Sequence, residues 1–484
     1  MPKATMAAYA ATATQQKTDD GTPMKRFHIL DLLIILLALM MAACQPMAPA
    51  KQDIMLSPSG SVLSIYVNFT STPDFRLELK DIELNTKQTW LTCKAPQVKQ
   101  ERSSRQRLVA IDSLPATAYE KIRFRVELYS EEDVLLRTEQ VELAITNHLI
   151  LKESGSTCLF IQCALSPYNL DRSLPTLFNV DTQEPPLADN LLYVLCPDLA
   201  TLYIVRTDQF IVTAAYPLQG EITDMVVDNR QRLVYFLDRQ RQQIQRWDGI
   251  SQQMTDRIPL PMTQGPEGLA ISDDGKDLFV TDTVNRQLLK IDAETGTRLA
   301  QINIGHEPSR PYWYKHNGQP RLAVISQGDQ QLHILNADNL ATIADVTAGQ
   351  RPYETIYANE TLFISDVFDH QVIQLNPDNG TIQARIPTAG SPTAMIDDEI
   401  NRNLIIAQQS RNNLALLPYG QQLVARQVEA GHSPQDLAMS HKRRLLYIAD
   451  KNTHSIYVLD LPSEKVIQII EIGSVPDVIV VQEP

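Results

Sequence analysis

The sequence predicts an all-β chain: a seven-bladed β-propeller over residues 189–484, preceded by a small β-sandwich domain. Two periodic features predict the propeller. Glycines recur 40 to 45 residues apart, most of them followed closely by proline, and apolar strands with a polar last residue recur in phase with them. Each unit is 40 to 45 residues long and holds four short strands, as one propeller blade does. The glycines are Gly220, Gly265, Gly305, Gly349, Gly390, Gly431 and Gly473.

The second marker is the last residue of an apolar strand in each unit. Three of these strands read LFVTD, LFISD and LYIAD, and each is followed by a polar turn and another strand. The strands end at Cys196, Asp238, Asp282, Ser326, Asp366, Gln408 and Asp450.

The two ends of the repeat region complement each other. The first unit begins with the kind of strand that is second elsewhere (191–195), and residues 477–481 form the kind of strand that opens a unit. We therefore predict that 477–481 completes the first blade. This closes the ring and removes two exposed sheet edges.

The repeats also carry a family resemblance. Residues 445–450 (LLYIAD), together with Gly473-x-x-Pro476, resemble YVTN-type propeller repeats, and the turn 282–286 is similar to NHL repeats. The resemblance covers 189–484 and implies a propeller without fixing an activity, because propellers host many functions. Gluconolactonase-type hydrolases, relatives in fold, place a metal with Glu, Asn and Asp at the channel mouth. By that resemblance Glu354, Asn285 and Asp366 would be the candidates.

Residues 61–165 predict the sandwich. Apolar and polar residues alternate in several short segments, and this period of two is typical of half-buried strands. Residues 114–123 resemble transthyretin-like domains at the front of some bacterial lipoproteins. Residues 166–188 contain several prolines without periodicity and are predicted to be a linker. The predicted strands are 62–69, 76–83, 107–112, 120–128, 138–145 and 156–164.

The N-terminal region is interpreted as targeting sequence. Residues 24–43 combine a positive start, an apolar core and small residues, as secretory signal peptides do. The ending MAAC resembles a bacterial lipobox, which implies lipidation of Cys44. An uncleaved membrane anchor is the alternative, although the apolar run is shorter than the ~20 residues that span a bilayer. Residues 1–23 are interpreted as a mis-called extension and 44–60 as a tether. In enteric lipoproteins an Asp after the lipidated cysteine retains the protein at the inner membrane. This chain has Gln45 there, so the resemblance implies the outer membrane, with the domains facing the periplasm or the cell surface.

The net charge limits the possible binding partners, and the cysteine content limits the possible disulfides. The formal net charge of -14 argues against nucleic-acid binding, which needs a basic face. Cys93, Cys158, Cys163 and Cys196 allow three disulfide pairings, among which the sequence does not choose. If 156–164 is one regular strand, Cys158 and Cys163 point to opposite faces and do not bridge each other.

One rim of the propeller collects the candidate binding residues. The Gly-x-x-Pro loops and the turns after the Asp-ended strands share this face, and they bring histidines and carboxylates that suit a cation, a haem-like ligand or a polar small molecule. A competing interpretation is purely structural, because Asp at a strand end caps its turn and Gly with Pro forms turns. No cofactor is expected, and a metal ion is the weaker alternative. The rim residues are His306, Glu307, Arg310, Arg351, Tyr353, Glu354, His370, His432, Asp436, His454 and Asp477.

Common catalytic motifs are missing from the sequence. There is no Gly-x-Ser-x-Gly, His-Glu-x-x-His, P-loop, or Gly-x-Gly-x-x-Gly after a strand. The sequence therefore favours a lipid-anchored cell-envelope propeller that serves as a binding or scaffold module for a protein or small ligand. The alternative is a propeller enzyme, either a metal-dependent hydrolase or lactonase or a redox-linked, quinoprotein-like component.

Overall fold

The computed structural model describes residues 60–70, 76–96, 105–130, 132–166, 169, 171–183 and 189–483. The predicted signal peptide, the predicted lipidation site Cys44 and residues 44–59 of the predicted tether lie outside these ranges. All described residues belong to one compact unit. They form strands and three short 3-10 helices. Within these ranges no helix is long and apolar enough to cross a membrane.

The front domain consists of two four-stranded sheets that pack around one apolar core. The first sheet, in the order β4-β1-β7-β8, contains β1 (Ser61–Phe69), β4 (Gln106–Leu114), β7 (Ser156–Cys163) and β8 (Phe178–Thr182). The second, in the order β3-β2-β5-β6, contains β2 (Arg76–Asn85), β3 (Trp90–Thr92), β5 (Ala118–Tyr129) and β6 (Leu135–Ile150). The six strands predicted from alternation are therefore present.

Burial along these strands reflects what covers each sheet. In β5 exposed and buried residues alternate, because one face meets the core and the other meets solvent. Nearly every residue of β1 is buried. Ile65 and Val67 face the sandwich core, whereas Tyr66 packs against the propeller, so the first sheet is covered on both sides.

The predicted linker 166–188 is wrong for residues 174–182. A 3-10 helix (Leu174–Leu177) and β8 occupy this stretch, and Leu174, Leu177 and Val180 are buried in the sandwich core. β8 pairs antiparallel with β7. The apolar residues stand among prolines, and a strand of five residues is too short to show a clear period.

Seven four-stranded sheets follow, which confirms the predicted fold class. Blade 1 combines β9 (Leu191–Cys196), β10 (Thr201–Arg206) and β11 (Ile211–Pro217) with the last strand, β36 (Val478–Gln482); the 3-10 helix Pro197–Leu199 follows β9. The strands of blades 2, 3 and 4 are β12 (Ile222–Asp228), β13 (Leu233–Asp238), β14 (Gln243–Asp248), β15 (Gln253–Pro259), β16 (Pro266–Ile271), β17 (Asp277–Asp282), β18 (Gln287–Asp292), β19 (Arg298–Asn303), β20 (Tyr312–His316), β21 (Gln319–Ser326), β22 (Gln331–Asn336) and β23 (Thr342–Thr347). The strands of blades 5, 6 and 7 are β24 (Pro352–Ala358), β25 (Thr361–Asp366), β26 (Gln371–Leu375), β27 (Ile382–Pro387), β28 (Pro392–Asp398), β29 (Asn403–Gln408), β30 (Asn413–Pro418), β31 (Arg426–Glu429), β32 (Pro434–Ser440), β33 (Leu445–Asp450), β34 (Ser455–Asp460) and β35 (Lys465–Glu471), with a 3-10 helix at Gln409–Arg411.

The ring closes through the C-terminal strand. β36 pairs antiparallel with β9, with Val480 opposite Tyr193, and becomes the innermost strand of blade 1. The innermost strand of each blade contacts that of the next, all the way round from β12 to β36 and back to β12. The predicted closing strand is confirmed, displaced by one residue.

The sandwich docks on the two blades that flank this closure. Tyr66, Leu108 and Phe160 share an apolar cluster with residues of blades 1 and 7. Gln106 both donates to and accepts from the backbone of Val212, on the outer strand of blade 1, at 2.9 and 2.7 Å. On blade 7, Glu471 accepts a hydrogen bond from the backbone N–H of Leu108 at 2.8 Å.

The four described cysteines are buried free thiols. Cys163 lies in the sandwich core, whereas Cys158 lies in the cluster shared with the propeller. The two side chains therefore point to opposite faces of β7, as the sequence predicts.

Candidate functional site

Each inner strand enters the ring at a loop that begins with one of the repeated glycines. In five blades the pairing register shifts at this point, as between Ile222 and Asp224 or between Pro352 and Thr355. Such bulges re-aim side chains. The repeat thereby defines one position that faces the axis of the ring, and across the seven blades it holds Asp224, Gly268, Arg310, Glu354, Ala394, Asp436 and Val478.

A cavity of about 500 Å³ lies on the axis at this end of the ring. Every blade contributes to its lining, and its volume lies in the range of small-molecule sites. The lining residues are Thr223, Asp224, Glu267, Thr283, Glu307, Pro308, Ser309, Arg310, Pro311, Tyr312, Gln327, Tyr353, Glu354, Thr355, Ala394, Gln435, Asp436, Asp477 and Val478.

The structure brings part of the predicted rim together in this cavity. Those that line it are Glu307, Arg310, Tyr353, Glu354, Asp436 and Asp477. Those outside the lining are His306, Arg351, His370, His432 and His454.

Sequence reasoning missed Asp224, Glu267, Tyr312 and Thr355. The first two occupy the repeat positions of Glu354 and Tyr353, so an alignment of the units on their inner strands would have found them. The glycine loop of blade 2 lacks proline, and in blade 3 proline follows glycine directly. These irregularities hide the common register.

Arg310 and Asp224 form an ion pair across the cavity wall. The Arg310 Nε donates to Asp224 Oδ2 at 2.9 Å, and a terminal guanidinium nitrogen donates to Oδ1. The Asp224 side chain is 3 % exposed, whereas that of Arg310 is 41 % exposed because it lines the cavity. Burial lowers the pKa of Arg310, but the neighbouring carboxylates outweigh it and hold the pKa above its usual value.

Three cavity carboxylates also link neighbouring blades. Asp224 accepts a hydrogen bond from the backbone N–H of Leu269 at 2.8 Å, and Glu354 accepts one from Met395 at 2.5 Å. Asp436 accepts one from Ile479, on the closing strand, at 2.8 Å. These side chains are therefore held in place by the backbone of the next blade.

Three carboxyl groups of the cavity have a raised pKa, chiefly because they are buried. Burial, followed by the charge of Asp436, raises the pKa of Glu354 to about 8. Burial raises the pKa of Asp436 to about 6, with Asp477 adding to the rise and Arg310 opposing it. Burial also raises the pKa of Asp477. At neutral pH Glu354 therefore carries a proton in the ligand-free protein.

Two buried polar atoms at the cavity have no partner. The Thr355 hydroxyl belongs to a residue that is 5 % exposed, and neither it nor the Gln435 carbonyl oxygen makes a hydrogen bond to the described residues. The Gln435 amide nitrogen is used, since it donates to Asp477. Unpaired buried polar atoms are costly, and both oxygens keep unused hydrogen-bonding capacity beside the cavity.

The recurring Gly and Asp residues have a structural role. In blade 5, Gly349 has φ +98, and a Cβ there would lie 2.2 Å from Asp366 Oδ2. Asp366 in turn accepts backbone N–H groups of Gln350 and Arg351 at 3.2 and 3.0 Å. Asp450 does the same for His432 and Ser433. Asp450 also caps the turn that follows it, because it accepts the backbone N–H groups of Asn452 and Thr453 at 3.1 and 2.8 Å, as the structural interpretation predicts.

The rim histidines lie in turns and loops outside the cavity lining. His370 and His454 have φ +50 and +53 and stand at the left-handed position before the third strand of their blades, where other blades have Gln242, Arg286, Gln330 and Asn412. His306 and His432 are exposed, and their backbone N–H groups are taken by Asp329 and Asp450.

The candidates for a metal site do not converge. Asn285 donates to Asp282 and to the Met262 carbonyl, Asp366 caps the loop at Gly349, and only Glu354 reaches the cavity. Within the described ranges, no group of three or more His, Cys, Asp or Glu side chains is arranged to hold a metal ion.

Comparisons with known proteins bear on the fold. The profile of the family described as methylamine dehydrogenase heavy chain (MADH) matches residues 264–356, which is less than half of the chain. No curated protein sequence matches the chain. Solved chains of similar structure number 1508, so the fold alone does not indicate a function.

Three solved structures illustrate this likeness. A functionally unknown protein from Desulfotomaculum acetoxidans DSM 771 is 12 % identical, covers 61 % of this chain and 100 % of its own, and has a TM-score of 0.54. The dihydro-heme d1 dehydrogenase NirN is 13 % identical over 61 % of this chain and 76 % of its own, with a TM-score of 0.48. Kuenenia stuttgartiensis hydrazine synthase is 13 % identical over 57 % and 94 %, with a TM-score of 0.49. At such identities the likeness concerns the fold alone, and of these three structures the first has a TM-score above 0.5.

Proposed function

We propose that this chain is a lipid-anchored β-propeller of the cell envelope, built from YVTN/NHL-type repeats, that binds a ligand in its central cavity. The observation that carries the proposal is the cavity on the ring axis, to which every blade contributes and whose polar lining is only partly satisfied.

The composition of the inner positions supports a binding role. Ala394 and Val478 show that small apolar residues suit this position in the ring. Carboxylates close enough to raise one another's pKa lower the stability of the fold, because each charge disfavours the next. Groups kept against such a cost, in a cleft, are candidates for function. Glu354 and Asp436 are such groups.

The proposed localisation in the cell envelope rests on the sequence of the N-terminal region. With Cys44 lipidated and Gln45 next to it, the chain would be held at the outer membrane, and its propeller would meet ligands or protein partners in the periplasm or at the surface. A lipid anchor adds about 0.8 kcal/mol for each buried methylene group.

The proposed lipid anchor is tested by detergent phase partition and palmitate labelling of the full chain and its Cys44→Ala variant. We expect the wild type to be labelled and to enter the detergent phase, and the variant to be unlabelled. If the wild type is also unlabelled, and the two proteins partition equally, the lipid anchor is contradicted.

A second candidate function is a component of a redox enzyme. The match of residues 264–356 to the methylamine dehydrogenase heavy chain family favours it, because the matched segment contains Glu267 and Arg310 of the cavity. An absorbance spectrum and metal analysis of protein purified from its own membranes separate the two candidates. A stoichiometric chromophore would favour the redox component over a simple binding module.

A further inference from the structure

We propose that the central cavity binds a small organic diamine or polyamine, held through its ammonium groups by Glu354, Asp436 and Asp477. This inference rests on the proposed binding function and adds the chemical class of the ligand.

The charges of the cavity call for a cation. Six carboxyl groups line it, and Arg310 is the one basic side chain among the lining residues. Arg310 is paired with Asp224, and Glu267 is paired with Arg239 from outside the lining. No lysine or arginine in the described ranges forms an ion pair with any of the three proposed ligands, and Glu307 remains exposed at the mouth.

The hydrogen bonds of the cavity call for a donor. One Glu354 oxygen accepts from Met395, which leaves the other for a ligand. The unpartnered Gln435 carbonyl oxygen and the Thr355 hydroxyl oxygen are two further acceptors. Thr355 is 5 % exposed and its hydroxyl makes no hydrogen bond to the described residues, so this oxygen still has the capacity to accept a hydrogen bond at the cavity wall. An ammonium group supplies three donors and a positive charge together.

The size and walls of the cavity call for an organic cation with more than one ammonium group. A volume of about 500 Å³ is far larger than a single ion requires. Tyr353, 39 % exposed, and Tyr312 line the cavity, and aromatic side chains suit both alkyl chains and ammonium groups. The three acidic side chains come from blades 5, 7 and 1, so two separated ammonium groups reach more of them than one does.

Binding of the amine is coupled to the release of a proton from Glu354. Asp436, Arg310, Tyr353 and Tyr312 are its charged or titratable neighbours, and the raised pKa leaves it protonated at pH 7 in the free protein. A bound ammonium group favours the charged carboxylate, so the proton is released on binding.

The test is calorimetric titration of the full chain in detergent with spermidine and putrescine. Hexane-1,6-diol, adipate and magnesium chloride serve as neutral, anionic and metal probes. Glu354→Gln keeps an acceptor for Met395 but cannot take on the negative charge that Glu354 gains when it releases its proton on binding. Asp436→Asn keeps an acceptor for Ile479 and removes the charge of Asp436. Glu429→Gln, on the exposed outer strand of blade 6, is the matched control.

We expect amine affinity to fall at least tenfold in each cavity variant and to stay unchanged in Glu429→Gln. If a cavity variant does not fold, the wild type alone remains decisive. Its binding heat should depend on the ionisation enthalpy of the buffer at pH 7, reporting release of a proton.

Other outcomes overturn the inference in distinguishable ways. If the diol, adipate or magnesium binds and the amines do not, and Tyr353→Ala weakens that binding, the amine ligand is wrong and the cavity remains the binding site. If amines bind equally well to all variants, the amine site lies elsewhere on the chain and the inference is wrong. If no probe binds and Tyr353→Ala changes nothing, both the ligand class and the proposed cavity function fail.

Discussion

Arg310 donates to both carboxylate oxygens of Asp224, although the two residues lie 86 positions apart and their blades are separated by blade 3. Blade 3 has Gly268 at the corresponding position, where a Cβ would come within 2.4 Å of the Arg310 Cα. The missing side chain lets the loop segment that carries Arg310, just before β20, approach closely. The same pair sits at the wall of the cavity, so the geometry of the ring and the charge of the cavity depend on each other.

Replacing Arg310 with methionine should destabilise the protein by about 2 kcal/mol. Asp224 would remain buried without its cation, and breaking a fully buried pair costs roughly 3–5 kcal/mol, reduced here because solvent reaches the guanidinium. Urea unfolding measures the change. The double variant with Asp224→Asn should recover part of the loss, and an unchanged midpoint in Arg310→Met would contradict the role of the pair.

Deleting residues 474–484 should lower the melting temperature steeply, by at least ~10 °C, and broaden the transition. The deletion removes β36, exposes the edge of β9, and withdraws Ile479, the donor to Asp436. Circular dichroism during heating measures this. Removal of Pro484 alone is the control, and equal melting of both proteins would mean that strand closure does not stabilise the ring.

Gly349→Ala should cost at least ~2 kcal/mol more than Gly318→Ala. Both glycines have positive φ, +98 and +74, so both substitutions carry the backbone strain of roughly 1 kcal/mol. At Gly349 the new methyl group would also collide with Asp366, whereas nothing lies within 4 Å of the Cβ position at Gly318. Chemical denaturation of the two variants isolates the collision, and equal losses would argue against a Gly–Asp contact.

The fold was predictable because the blade repeat is local. Glycine at a positive φ, an aspartate that caps the same loop, and a strand of fixed length recur within each unit, so their spacing is visible along the chain. The closing strand followed from the same spacing. β8 was missed because its burial depends on the opposite sheet of the sandwich, and no local pattern reports that contact.

The site was predictable only in part. Glu354 and Asp436 were found because they follow regular Gly-x-x-Pro loops, whereas Asp224 was missed because its loop lacks proline. His370 and His454 were included because histidine is a common ligand, yet their side chains stand at left-handed turn positions shared with Gln242 and Asn412. In five blades the bulge decides which residue faces the axis, and a bulge is a property of the paired strands that the sequence does not display.

The stability of the protein should fall as the pH rises from about 5 to 8. The pKa of Glu354 is raised from 4.5 to about 8 and that of Asp436 from 3.8 to about 6, so the native state holds these protons more tightly than the unfolded chain. Stability decreases with pH wherever the native state binds more protons. Arg310 and Asp477 face the same groups and modulate the range.

Glu354→Gln should flatten this dependence and raise the free energy of unfolding by about 1 kcal/mol at pH 8 to 9. Urea unfolding across the pH range measures it, with Glu429→Gln as the control. A variant that keeps the wild-type slope would mean that Glu354 does not carry the buried proton.

Photo-crosslinking tests the central claim most directly. A diamine carrying a diazirine is irradiated with the full chain, and the labelled peptides are identified by mass spectrometry, with and without excess spermidine. We predict labelling of the segments around Tyr353 and Gln435, suppressed by spermidine and lost in Glu354→Gln. Labelling spread over exposed acidic residues of the outer strands, unaffected by spermidine, would contradict an amine site in the central cavity.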